Sequence, residues 1–287
     1  MIHMEITAKT KQLCIIGDPV SHSFSPVMHN FISNYIGNDT VYSAFDVKPG
    51  ELKDAISGIK ALGIRGLNVT APHKIEVMQY LDKISDDALR LGSVNTVVNN
   101  DGYLTGYNTD SDGFYLSLKN AGISVNDSNI LVLGCGGVII PMLAAIIKDS
   151  PKSITLLNRT KEKAVAVSHK IHSLFGYEIS NSFEDIDYDI VINTTSAGME
   201  HQIDVLPWET ISEIKNTHFL KNIKTAIDLI YNPECTKFLK IAKENGAKIL
   251  NGLDMLIYQG IIAYELFCDI KLPDNIAELI RKEVFGV

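Results

Sequence analysis

The stretch Ile130-Leu131-Val132-Leu133-Gly134-Cys135-Gly136-Gly137-Val138-Ile139-Ile140 decides the fold of half the chain. A short apolar run predicts a buried strand, a glycine cluster a tight turn, and the apolar residues beyond it a helix. This is the context in which a backbone approaches a dinucleotide pyrophosphate and sets its charge against a helix N-terminus. Ile139 occupies the place of the third glycine of GxGxxG, and glycine turns of this kind also occur with no ligand. Pro141 is tolerable only in the first helical turn, where its missing N–H is not needed. The following strand, 153–158, ends in Asn158-Arg159-Thr160, with Lys163 shortly after. No carboxylate stands there to take the ribose hydroxyls of NAD, whereas the planar fork of Arg159 suits a 2′-phosphate. The bland alternative is a solvated basic loop; beside a glycine turn, NADP is the preferred reading.

Working outward, short β-rich runs alternate with helix-length amphipathic segments. The strands predicted are 13–17, 41–47, 66–70 and 93–99, with helices near 26–36, 50–62 and 73–91. A second series at 130–134, 153–158, 188–194, 225–230 and 247–250 again has helices between. Such alternation predicts parallel sheets with covered faces. Nine or more strands divide more naturally into two α/β lobes than into one sheet. The boundary is expected around 110–120, giving lobes 1–110 and 111–251. The helical segment 252–287 has no strand to serve and is expected to return to the first lobe, leaving a cleft between the lobes.

Length and composition agree. At roughly 150 residues per domain, a chain of 287 residues suggests two. An apolar fraction of 46% with 21% charged residues is ordinary globular composition. The net charge of −8 gives no support to nucleic-acid or anionic-membrane binding. No apolar run is long enough for a membrane span, and the N-terminus lacks a signal-peptide core, so a cytoplasmic location is expected. Cys14, Cys135, Cys235 and Cys268 are far apart in sequence, without ligand spacing. Buried, inert thiols and no metal site are therefore expected.

Polar clusters punctuate the strand ends of the first lobe: Ser21-His22-Ser23-Phe24-Ser25-Pro26, Asn68-Val69-Thr70-Ala71-Pro72-His73-Lys74, Asn95, and Asn108-Thr109-Asp110. Each alone could be a helix cap or a surface loop. Together they lie where α/β sheets bind ligands. His73 reads as a residue that orders its loop rather than as an acid.

In their order, IGDPVSHSFSP, NVTAPHK, GSVNTVV, GYNTD, GCGG, NRT, NTTSAGM, DLIYNPECT and NGLDMLIYQG resemble the motif series of the shikimate dehydrogenase family over roughly residues 12 to 270. The resemblance implies an α/β, two-lobed fold: a substrate-binding domain, a Rossmann-type NADP-binding domain, and C-terminal helices returning to the first lobe. It implies that Ser23 and Ser25 hold a substrate carboxylate, with Tyr231 nearby. Asn68, Thr70, Asn95 and Gln259 would bond the ring hydroxyls, and Lys74 with Asp110 would form the catalytic pair. On the cofactor side it implies Gly134, Gly136 and Gly137 at the pyrophosphate. Asn158, Arg159, Thr160 and Lys163 would grip the 2′-phosphate, with Gly252 and Met255 on the nicotinamide side. The implied activity is reversible NADPH-dependent reduction of 3-dehydroshikimate to shikimate in chorismate and aromatic amino-acid biosynthesis, by a monomer or homodimer. The alternatives are a quinate/shikimate dehydrogenase and a non-catalytic metabolite-binding homologue.

Overall fold

The structure is a computed structural model and describes residues 5–184, 186–214 and 216–287. The chain divides into two compact units: one comprises the chain up to Gly113 together with Ile257–Val287, the other Phe114–Leu256.

The first unit begins with β1 (Lys11–Gly17), α1 (Ser25–Ile36), β2 (Thr40–Asp46), α2 (Leu52–Ala61) and β3 (Gly66–Val69). Helix α1 carries Pro26 in its first turn and stops at Gly37, which adopts φ 67°. That follows the usual preference for proline at the start of a helix and glycine past its end. Next come β4 (Lys83–Ile84), α3 (Asp86–Leu91), β5 (Thr96–Asn100), β6 (Tyr103–Tyr107) and the start of α4 (Asp110–Asn120).

The sheet order is β2-β1-β3-β5-β6-β4. Here the expectation of purely parallel sheets fails, because β5 runs antiparallel to both β3 and β6. The cause is a two-residue hairpin at Asp101-Gly102, with φ 51° and 89°, the turn that Asp-Gly favours. The helix expected over 73–91 is also absent. The segment holds a 3-10 turn at Glu76–Tyr80, β4 and then α3. Asp82 draws it into the sheet by accepting Leu104 N–H at 2.7 Å and Lys60 at 2.9 Å, and Ser85 then caps a new helix.

The second unit contains β7 (Asn129–Leu133), α5 (Ile139–Ile147), β8 (Ser153–Leu157), α6 (Lys161–Phe175), β9 (Ile190–Asn193), β10 (Thr225–Asp228), α7 (Lys237–Glu244) and β11 (Lys248–Leu250). All its strands are parallel, in the order β11-β10-β9-β7-β8. Alternate residues feed two cores, as a sheet covered on both faces requires. Ile130, Val132, Ile190 and Ile192 pack with Met142, Ile146 and Ile171 of α5 and α6. Leu131, Leu133 and Val191 pack with Trp208, Phe219 and Phe238. Pro141 falls in the first turn of α5, where it breaks no bond.

Helix α8 (Leu253–Cys268) carries the chain from the second unit into the first, where α9 (Ile276–Ile280) ends it before a last wide turn. A Cβ on Gly260 would lie 2.1 Å from Met28, and one on Gly66 would lie 2.2 Å from Phe267. Glycine at both places lets α8 press on α1 and on the sheet. The cysteines are free, but the expectation of burial holds only for Cys14: Cys135 and Cys268 are half-buried and Cys235 is exposed. Cys235 lies in a surface turn between β10 and α7, where no core is available to cover it.

Candidate active site

Strand order reverses beside β1, with β2 on one side and β3 on the other, and the ends of such strands form a natural crevice. The loop after β1 carries Ser23 and leads into Ser25 at the start of α1, and β3 ends in Asn68 and Val69 with Thr70 just past it. The antiparallel hairpin explains the rest. Strand β5 starts at the edge where β3 ends, so Asn95 stands beside Asn68; β6 then returns to that edge and delivers Asn108, Thr109 and Asp110. Lys74 joins them because its carbonyl accepts Val94 N–H at 2.8 Å.

The Lys74 ammonium donates to Asp110 Oδ2 at 2.7 Å, and both side chains are largely enclosed. The other carboxylate oxygen of Asp110 accepts Asn95 Nδ2 at 2.9 Å. Asn95 Oδ1 accepts Thr109 N–H at 2.8 Å and Thr96 Oγ1–H at 2.9 Å. Asn68 donates from Nδ2 to Thr96 Oγ1 at 3.1 Å and to Asn95 O at 3.2 Å. Ser23 Oγ accepts Ser25 N–H at 3.2 Å at the start of α1. Gln259 is half-buried on α8. A Cβ on Gly113 would lie 2.7 Å from the Cβ of Gln259, so this glycine seats Gln259 one turn along α4 from Asp110. His73 is buried, and its Nε2–H donates to Val47 O at 2.6 Å, so it holds its loop to the rim of β2.

In the second unit the corresponding reversal lies between β7, β8 and β9. Gly134 follows β7 with φ 104°, and a Cβ there would lie 2.6 Å from Thr195 and 2.8 Å from Thr194. A Cβ on Gly136 would lie 2.8 Å from Thr194 O, while one on Gly137 would meet nothing within 4 Å. The turn is thus packed against the strand end on one side and open at Gly137, just before α5. Burial pushes the Cys135 thiol up to about 11, so it stays neutral.

At the end of β8, Asn158 Nδ2 donates to Thr160 O at 2.9 Å, and Lys163 N–H bonds the same carbonyl at 3.1 Å. Lys161 pairs with Glu213 at 2.6 Å. Among the described residues, Arg159 and Lys163 make no ion pair, and both are exposed. An open glycine turn, a strand end without a carboxylate and two unpaired cations together fit NADP.

Asp228, wholly buried at the end of β10, ties two loops together. It accepts Thr236 Oγ1–H at 2.6 Å, Asn193 Nδ2 at 3.0 Å and Ile230 N–H at 3.1 Å. Asn193 in turn accepts from Thr195 at 2.7 Å, beside the glycine turn. Tyr231 follows on the second loop, its phenol pushed up by burial. Gly252 stands against that loop, where a Cβ would lie 2.1 Å from Leu229 O. Met255 is buried in the α5–α6 core. Tyr42, whose buried hydroxyl donates to Asn68 Oδ1 at 2.7 Å, was not singled out from the sequence, nor were Thr96 and Asp228. A tyrosine or threonine alternating along a strand looks like core, and the aspartate lies inside an apolar run.

Comparison with known proteins identifies the family. Residues 15–97 match the family model described as shikimate dehydrogenase substrate binding domain, and residues 116–244 the one described as shikimate / quinate 5-dehydrogenase. Shikimate dehydrogenase (NADP(+)) of Methanocaldococcus jannaschii is 45% identical over 273 residues, 93% of this chain and 94% of the relative. A crystal structure of a shikimate dehydrogenase in complex with NADP+ is 41% identical with a TM-score of 0.85, covering 97% of each chain. The Listeria monocytogenes shikimate 5-dehydrogenase, solved in complex with shikimate and NAD, is 34% identical with a TM-score of 0.84, covering 96% of this chain and 98% of that one. With two switch-point sheets and this likeness over nearly its whole length, the chain belongs to the shikimate dehydrogenase family.

Proposed function

We propose that the chain catalyses the reversible NADPH-dependent reduction of 3-dehydroshikimate to shikimate, as a cytoplasmic biosynthetic enzyme. The observation that carries this reading is the enclosed Lys74–Asp110 pair at 2.7 Å, set among Ser25, Asn68 and Asn95 at the switch point of the first unit. Ser23 and Ser25, at the N-terminus of α1, bind the substrate carboxylate. Asn68, Thr70, Asn95 and Gln259 bond its ring hydroxyls.

Reduction of a ketone develops negative charge on oxygen, and stabilising that charge in an enclosed site is where such enzymes gain most. The nicotinamide, when bound, supplies or takes the hydride. Lys74 does the rest: one of its three protons is engaged by Asp110, and the others face the developing alkoxide, to which it gives a proton. In the opposite direction Lys74 takes that proton back. Asp110, steadied by Asn95 on its second oxygen, fixes where the ammonium points. The second unit binds NADP. Gly134, Gly136 and Gly137 admit the pyrophosphate, Arg159 and Lys163 pair with the 2′-phosphate, and Asn158 shapes the loop around Thr160.

A second reading, quinate as substrate or NAD as cofactor, draws on the shikimate / quinate model and on the Listeria complex with NAD. The carboxylate-free end of β8 favours NADP. Initial rates with shikimate and with quinate, each with NADP and with NAD, test the reading. Fastest turnover with shikimate and NADP is expected. Activity with quinate and NAD alone would replace it with the second reading, and none with any pair would overturn both.

A further inference from the structure

We propose that Phe285 is a positioning residue for the substrate: through its contact with Phe24, the wide helical turn after α9 (Arg281–Phe285) straps down the loop that carries Ser23 into Ser25. The inference rests on the reading of these two serines as the holders of the substrate carboxylate.

The loop between β1 and α1 is tied firmly at its root. There Val20 is buried, and its N–H donates at 2.7 Å to Asp46 Oδ1 at the end of β2. Towards the tip Ser21 and His22 are exposed, and Ser23 N–H turns back to Val20 O at 3.0 Å. Phe24 then joins the two serines. Its carbonyl accepts Met28 N–H at 3.1 Å as α1 begins, and Ser23 Oγ accepts Ser25 N–H across it at 3.2 Å. A shift of the Phe24 backbone therefore moves both hydroxyls.

Phe285 reaches that point from outside the loop. The two rings lie 5.4 Å apart between centroids at 40°, a separation at which aromatic pairs attract. Both residues are half-buried, so the pair sits at the surface rather than in the core. The turn that carries Phe285 is itself anchored. Ile276, Ala277 and Ile280 of α9 are buried, α9 and the turn both pack on α1, and Gly286 closes the turn at φ 73° with its N–H on Arg281 O. The same turn also touches α8: Arg281 lies 5.7 Å from the centre of the Tyr258 ring and donates to its hydroxyl at 3.4 Å. Tyr258 directly precedes Gln259. One turn thus contacts the sequence neighbours of Ser23, Ser25 and Gln259. A side chain that sets this loop without touching the ligand changes how well the carboxylate is held. Because a carboxylate is held alike in ground and transition states, the effect falls on KM and not on kcat.

Phe285→Ala removes the ring from the strap and leaves every proposed ligand of the substrate unchanged. Its shikimate KM should rise about fivefold, the scale of one lost aromatic pair. The NADP KM and kcat should stay within about twofold, a split that general loosening of the fold would not produce. Phe24→Ala removes the other half of the contact from a different element and should give the same split. The double variant should exceed either single one by less than about twofold, since both remove one contact. Phe285→Tyr keeps the ring and should restore most of the affinity. Thermal melts check that the variants are folded at the assay temperature; if Phe285→Ala is not, Phe24→Ala carries the test on the same terms. An unchanged shikimate KM, an equal rise for NADP, a fall in kcat at constant KM, or two effects that multiply in the double variant would each overturn the assignment. Failure of the unsubstituted protein to turn over shikimate would instead remove the functional reading, and this inference with it.

Discussion

Asp228 makes the stability of the protein depend on pH in an unusual direction. Its carboxylate is wholly buried and accepts three hydrogen bonds from neutral groups, Thr236, Asn193 and Ile230 N–H. Burial raises its pKa from 3.8 to about 6, and the three hydrogen bonds only partly oppose that rise. The native state therefore holds this proton more tightly than the unfolded chain does. The associated stability is fully present below pH 3.8 and is lost as pH rises through about 6. With one pKa unit worth 1.36 kcal/mol, the contribution falls by roughly 1.4 kcal/mol between about pH 5 and about pH 7.5. Asp228→Asn removes the titration while conserving shape. Its carbonyl can accept from Ile230 and Asn193, and its amino group can donate to Thr236. Urea unfolding of both proteins at the two pH values measures the effect. The stability of the unsubstituted protein relative to Asp228→Asn should be greater by about 1.4 kcal/mol at the lower pH. A pH-independent difference, or an Asn variant unable to fold near neutral pH, would refute the reasoning.

The other expectations concern turnover and ligand binding. Lys74→Ala should lower kcat at least ~100-fold with little change in NADP binding; Asp110→Asn should also be severe, and the double variant far less than additive. A Lys74→Ala enzyme that keeps most of its kcat would take Lys74 out of the mechanism. Ser23→Ala should chiefly raise the shikimate KM, since a carboxylate is held alike in ground and transition states; a fall in kcat at constant KM would contradict it. Arg159→Ala should raise the NADP KM roughly 10–100-fold, the scale of a lost charge-assisted bond, with NAD kinetics nearly unchanged. Equal KM values for NADP and NAD in the unsubstituted protein would remove that assignment.

The two-unit α/β architecture and the glycine turn were legible because each rests on local pattern: an apolar run, then glycines, then a helix. The hairpin at Asp101-Gly102 was not recognised, although Asp-Gly between β-rich runs is its usual signal. Its omission mattered. The reversal it produces is what returns Asn95 and Asp110 to the edge where Asn68 ends, a juxtaposition no spacing in the sequence reveals. Lys74 and Asp110 were found through motif resemblance, and their 2.7 Å contact became visible only once β5 and β6 were in place. Tyr42 and Asp228 belong to a different class. A single tyrosine on a strand and an aspartate beside isoleucines announce nothing, because their roles come from partners brought together by the fold.

The central claim is that this chain reduces 3-dehydroshikimate with NADPH at the Lys74–Asp110 site. The most direct test incubates the purified protein with both compounds, follows the loss of reduced nicotinamide absorbance and quantifies shikimate by chromatography. The account predicts stoichiometric appearance of shikimate with NADPH consumed, at a rate that collapses in Lys74→Ala. No NADPH oxidation, or oxidation without shikimate, would contradict it.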